Sequence, residues 1–191
     1  MSEEQLQILL PDLVQKNRKS QEALYHGMSP VLLGICCRYI QDRHIAEETM
    51  VNTLLQVFTH IPQYKGEGSL RGWMKRICVN TCISQLRKKE KIDISSIDHD
   101  TDSEYLAVTD RNMSPHDMEL LDNALNSLPL GCKVVFSLFA IEGYTVAEIA
   151  DMLECSQGNV KSQVSYARKL LSAYLLKHHP EYMPKKVQLN Y

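Results

Sequence analysis

The stretch "YKGEGSLRGWMKR", Tyr64 to Arg76, gathers three glycines, two of them just before a serine able to cap a helix, and the only tryptophan of the chain. These residue types allow two chemistries. A glycine loop that opens a helix can hold a phosphate, because backbone N–H groups and the positive end of the helix dipole converge there. A loop beside an aromatic ring and several cations can instead hold an unstacked base. The first use makes an enzyme and the second a nucleic-acid binder. The phosphate reading is the weaker, since "KGEGS" lacks the GxxxxGK[ST] arrangement and follows a helical segment rather than a buried strand. Taken alone, Trp73 reads as a partly buried core aromatic.

A second constellation lies in "TVAEIADMLECSQGNVKSQVSYARKLL". Thr145 with Glu148 three residues on is a capping box, so a short helix opens there and carries Ile149 and Leu153 inward. Ser156 caps the next helix after a tight turn, and Val160, Val164, Ala167 and Leu171 make its buried stripe. Two helices joined in this way form a helix-turn-helix. Lys161, Ser162, Ser165, Tyr166 and Lys169 are expected away from the stripe, with Arg168 at its border. Such side chains can donate to phosphates and reach base edges in a major groove. Helical hairpins with exposed Lys and Ser also occur without binding anything.

Catalytic chemistry finds no footing. No Ser/His/Asp set, HExxH or paired carboxylates can be assembled, and adjacent Glu47 and Glu48 point to different sides of a helix. The seven histidines show no metal-ligand spacing. Six cysteines, Cys36, Cys37, Cys78, Cys82, Cys132 and Cys155, sit among apolar neighbours without a CxxC pair, so they are expected as small buried hydrophobes. Cys78 and Cys82 share a helix face, but no second pair accompanies them. No catalytic residue, metal or cofactor is expected.

The elements that would position these residues are all helical. Ser29 and Pro30 read as a helix start leading into residues 31–40. Asp42 opens the next helix, whose Ala46, Met50, Leu54, Val57, Phe58 and Ile61 recur at helical spacing until Pro62. Ser69 caps a helix to about Lys89, with Leu70, Met74, Ile77, Cys78, Thr81 and Cys82 on one side. Arg76, Asn80, Ser84 and Arg87 gather on another side, with Trp73 at its margin. Further on, Met118, Leu121, Leu125 and Leu128 form a helix ending near Pro129, and Val134, Val135, Leu138 and Phe139 another ending at Gly143. Asp-, Ser- and Thr-rich residues 92–117 read as a linker. The fold class is therefore all-α: two helical domains, residues 1–91 and 118–180, joined by the acidic linker, the second with the helix-turn-helix, and a tail at 181–191.

Composition agrees with a globular protein, with 44% hydrophobic and 23% charged residues. No apolar run suits a membrane span, and the acidic "MSEEQLQILL" is unlike a signal peptide, so a cytoplasmic protein is expected. The net charge of -2 conceals an asymmetry: residues 18–91 hold twelve Lys and Arg against six Asp and Glu, whereas residues 92–119 hold one against eight. A basic block precedes an acidic connector, which suits a polyanion partner better than the total does.

Two long segments together resemble a bacterial RNA polymerase sigma factor of the sigma-70 family, extracytoplasmic-function group. One runs from "EALYHGMSPVLLGICCRYIQDRHIAEE" through "VFTHIPQYKGEGSLRGWMKRICVNTCISQLRKK", the other from "ALNSLPLGCKVVFSLFAIEGYTVAEIADMLECSQGNVKSQVSYARKLL". The resemblance implies a non-enzymatic protein that binds core polymerase, brings it to promoters and helps melt the start site. It implies that the −10 element, as a melted strand, meets Tyr64, Lys65, Gly66, Ser69, Trp73, Lys75, Arg76 and Asn80. The −35 duplex would meet Asn159, Lys161, Ser162, Ser165, Tyr166 and Arg168. The helix opened by Asp42 would grip the clamp helices of the largest polymerase subunit through Glu48, Val51, Asn52 and Leu55, and the polymerase flap is a further implied contact. Val51 and Asn52 stand where relatives carry Gln and an acidic residue, and Tyr166 where they carry Arg. Promoter DNA and core polymerase are the implied partners, together with an anti-sigma protein, often membrane-bound in relatives; no direct membrane insertion is implied. The alternative is a stand-alone helix-turn-helix regulator that binds duplex DNA without polymerase.

Overall fold

A computed structural model describes residues 1–89 and 115–180. Among these, every regular element is helical, and the chain divides into two compact units at Lys91 and Ile92. Most of the expected linker and the whole 181–191 tail lie outside the described residues.

The first unit holds α1 (Glu3–Val14), α2 (Arg18–Tyr39), α3 (Arg43–His60) and α4 (Leu70–Lys89). α2, α3 and α4 pack on one another, and α1 lies against α2 and α4. The core is built from Leu24, Met28, Leu32 and Tyr39 of α2, Ala46, Leu54 and Val57 of α3, and Leu70, Met74, Cys78 and Cys82 of α4. Fully burying one such Leu or Met contributes roughly 1.5–3 kcal/mol. A cap contributes roughly 0.5–2 kcal/mol. The core therefore decides where the helices lie, and the caps where they begin.

That ranking explains a correction. Ser29 and Pro30 do not start a helix: α2 starts at Arg18, capped by the Asn17 side chain, and runs through Pro30. An interior proline costs about 3 kcal/mol. Leu24 and Met28 before it and Leu32, Ile35 and Cys36 after it form one buried face, whose burial outweighs that cost. The Ser29 hydroxyl donates back to the Tyr25 carbonyl at 2.6 Å instead of capping. Asp42 does cap α3, accepting from the His44 and Ile45 N–H groups. A short 3₁₀ turn, Ile61–Gln63, places Pro62 past the end of that helix.

The second unit holds α5 (Pro115–Asn126), α6 (Leu130–Phe136), α7 (Val146–Leu153) and α8 (Gln157–His178). Residues 115–117, expected in the linker, open α5. α6 continues into a π-helical turn, Ser137–Ile141, and the chain reverses at Gly143, whose φ of 75° is left-handed. The capping box of Thr145 and Glu148 is formed in both directions, and Ser156 caps α8. Val160, Val164 and Ala167 are buried, as the stripe required.

Candidate nucleic-acid interface

Residues 64–69 form a loop held at its base and open at its rim. The Tyr64 hydroxyl donates to the Gly68 carbonyl at 2.7 Å, closing the loop on itself. Gly66 and Gly68 have φ of 77° and 76°, and a Cβ on either would meet nothing within 4 Å. Glycine is needed there for the left-handed backbone and not for a close approach. Tyr64 and Trp73 face each other across 5.5 Å at 51°. Both rings are half-buried, so a flat apolar surface borders the open loop.

The start of α4 is fully capped. The Glu3 carboxylate, reaching from α1, accepts from Leu70 N–H at 2.7 Å and Arg71 N–H at 3.2 Å. Ser69 Oγ accepts from Gly72 N–H at 2.9 Å, and the Ser69 carbonyl from Trp73 N–H at 3.0 Å. Three of the four donors that a helix start leaves orphaned, those of Leu70, Arg71 and Gly72, are thus taken, and the Trp73 bond begins the regular helix ladder. A phosphate would have to displace the Glu3 carboxylate and the Ser69 hydroxyl to reach the N–H groups of Leu70, Arg71 and Gly72, which weakens the phosphate-cradle reading further. Partial burial raises the pKa of Glu3, but hydrogen bonds from the Gln7 side chain and from Leu70 and Arg71 outweigh it and leave the pKa lowered.

Of the residues expected at this face, Lys65, Arg76 and Asn80 are exposed, with Ser84, Arg87 and Lys88 continuing the polar strip along α4. Two do not join as expected. Ser69 spends its hydroxyl on the cap. Lys75 lies about 200° around the helix from Trp73, on the core side and half-buried. Val79, Ile83 and Leu86 complete the buried face of α4.

In the second unit, Lys161 is exposed and Asn159 and Ser162 are partly so, in the first turns of α8. Ser165 is not on the outer face: it is buried to 7% exposure. Tyr166 packs on the cluster of Leu125, Leu128, Cys132, Phe136 and Ala167. Tyr166 departs because α5 and α6 close over a side of α8 that a helical wheel treats as free. The Arg168 guanidinium sits 5.7 Å from the centre of the Phe139 ring.

Glu48, Val51, Asn52 and Leu55 line one exposed stripe of α3, where Val51 and Leu55 keep 43% and 57% exposure. A groove of about 670 Å³ runs beside it, lined by Tyr25, Leu33, His44, Glu48 and Val51 among others. Tyr25 lies before the helix expected from residue 31, and α2 in fact begins at Arg18, which brings Tyr25 onto the same helix as Leu33. Glu3 was missed too, although Ser2 and Gln5 form a capping box that announces its helix. Cys36 was read apart from Cys78 and Cys82, yet the three sulfurs meet in the core. Shared hydrogen bonds there raise the Cys36 and Cys82 thiols and lower that of Cys78.

Residues 24–92 match the family described as Sigma-70 region 2, and residues 118–171 that described as Sigma-70, region 4. The ECF RNA polymerase sigma factor SigE of Mycolicibacterium smegmatis is 30% identical over 73% of this chain and 55% of its own length. The ECF RNA polymerase sigma-E factor of Haemophilus influenzae is 24% identical over 86% of this chain and 92% of its own. The sigma factor RpoE of Bartonella quintana, solved in complex with the anti-sigma factor NepR, shares the fold. It has a TM-score of 0.50 at 23% identity, covering 83% of this chain and 97% of that one. A stand-alone helix-turn-helix regulator would leave the match of the first unit unexplained. The two matched regions, in this order and together spanning more than half of the residues, place the chain in the sigma-70 family, in the extracytoplasmic-function group of RNA polymerase sigma factors.

Proposed function

We propose that the protein binds core RNA polymerase and directs promoter-specific initiation, acting in the cytoplasm as a non-enzymatic factor. The reading rests on one observation above others: a single chain joins an open aromatic-edged loop on a polar helix face to a separate helix-turn-helix. Unstacking a base costs a few kcal/mol. Stacking on an aromatic surface returns roughly 1–3 kcal/mol per base. Tyr64, Lys65, Gly66, Trp73, Arg76 and Asn80 take the melted −10 strand in this reading. Asn159, Lys161 and Ser162, at the start of α8, read the −35 duplex with Arg168 beside them. Ser69, Lys75, Ser165 and Tyr166 support these faces from behind.

The apolar stripe of Val51 and Leu55, flanked by Glu48 and Asn52, is the surface for the clamp helices of the largest polymerase subunit, and the second unit meets the flap. An anti-sigma protein covering these surfaces would hold the factor inactive, as the complexed Bartonella relative suggests. No helix among the described residues is long and apolar enough to cross a membrane.

In vitro transcription tests the reading. Purified core polymerase with this protein starts RNA at a defined promoter, and permanganate detects reactive thymines at the −10 region. Trp73→Ala and Asn80→Ala lower open-complex formation at unchanged core binding. Failure of cognate core to initiate with the wild-type protein would sink the proposal.

A further inference from the structure

Cys36 of α2 meets Cys78 and Cys82 of α4 in the core of the first unit. The Sγ atoms of Cys36 and Cys78 are 3.6 Å apart, those of Cys36 and Cys82 also 3.6 Å, and all three lie within 4.8 Å of one another. Each residue is 0% exposed, and all are free thiols. One turn of α4 puts Cys78 and Cys82 on the same face, and α2 supplies the third sulfur from 42 residues away. Cysteines serving only as small hydrophobes have no reason to converge on one point; buried Cys132, by contrast, sits apart and donates to Gln163 at 2.8 Å.

The ligand count and the charge select the occupant. Thiolates suit soft ions. Structural zinc takes four ligands, and only three metal-binding atoms converge among the described residues. The groups that act most on these thiols are one another, the Thr53 hydroxyl beside Cys78 and the Cys37 thiol beside Cys36, with no cation among them. Three thiolates around a monovalent or divalent ion would bury a net negative charge without a partner, which is strongly unfavourable. Around a trivalent ion they are neutral.

We propose that Cys36, Cys78 and Cys82 form a three-sulfur site for a trivalent thiophilic ion of the arsenite class. Loading is a ligand exchange without oxidation or reduction. Three As–O bonds of arsenous acid break, three As–S bonds form, and each leaving hydroxide departs as water with one thiol proton. Since the site is closed to solvent, entry requires α2 and α4 to part transiently. The loaded site then ties α2 to α4 and raises the unfolding temperature of the first unit.

The test uses the full chain, kept reduced by a phosphine, with arsenite as the probe and unbound arsenic removed before counting. One arsenic per chain, three sulfur neighbours by X-ray absorption, and an upward shift in the unfolding temperature are expected. Cys36→Ala, Cys78→Ala and Cys82→Ala each abolish retention, whereas Cys37→Ala and Cys132→Ala keep it. The absorption measurement needs only the wild-type chain, so a variant that fails to fold does not blunt the test. Absence of retained arsenic, a two-sulfur spectrum, or dependence on Cys37 in place of Cys78 overturns the site. Preferential retention of zinc or of monovalent copper in competition with arsenite overturns the charge argument.

Discussion

Removing Glu3 should loosen the helix that carries the proposed melted-strand face. Its carboxylate accepts from two N–H groups at the start of α4, at 2.7 and 3.2 Å, and is held there by α1. A capping contact is worth roughly 0.5–2 kcal/mol, and a carboxylate at the positive end of a helix dipole adds roughly 0.3–1 kcal/mol. The second bond is long and the group lies near the surface, where solvent weakens charge effects, so a net loss of about 1 kcal/mol is expected for Glu3→Gln. For a domain of this size that lowers the midpoint by about 4–8 °C. Trp73 is the sole tryptophan and sits in the first turn of α4, so its fluorescence reports the thermal unfolding of this unit alone. The sign with pH follows from the lowered pKa. The stabilisation is fully present above the unfolded value near 4.5 and is lost as pH falls through the lower folded value. The gap between wild type and Glu3→Gln is therefore open at pH 7 and narrows below about pH 4.5. Identical midpoints at pH 7, or a gap that widens on acidification, would refute the reasoning.

Three further outcomes follow from the geometry. Gly66→Ala and Gly68→Ala each force a Cβ into a left-handed backbone at about 1–2 kcal/mol; since open space surrounds both positions, urea midpoints should fall without loss of helical circular dichroism. Lys161→Ala reduces the slope of log K against log salt for −35 duplex binding by about one unit, whereas Ser165→Ala, at a buried position, changes the unfolding midpoint and leaves the slope alone. Leu55→Asp, at 57% exposure, leaves the fold stable while weakening capture of core polymerase at least about tenfold, or about 1.4 kcal/mol, in a pull-down titration; unchanged capture would exclude this stripe from the contact.

Local signals were legible wherever a cap and a periodic apolar run coincided. Asp42, Ser69, Thr145 with Glu148, and Ser156 each open the helix expected of them, because a side-chain acceptor next to orphaned N–H groups needs no tertiary help. Ser29 and Pro30 carry the same signature and fail, because a buried face continuous across them outweighs the proline. The wheel of α4 separates Arg76 and Asn80 from Met74 and Cys78 correctly and puts Lys75 on the core side as well; only the family resemblance had grouped Lys75 with the polar face. Ser165 and Tyr166 look outward on α8 only while the helices packed against it are left out of account.

Sequence alone therefore determined the helical class, the helix starts at Asp42, Ser69, Thr145 and Ser156, and the glycine loop with its aromatic border, since each depends on residues within a turn or two of one another. Tertiary structure decided the rest. It brought Glu3 to the start of α4 across 67 residues, satisfying donors that a phosphate would otherwise have needed. It also set Cys36 against Cys78 and Cys82, and covered Ser165 and half of Tyr166. Spacing within one helix says which residues share a face; only the packing of another helix onto that face says what the face meets.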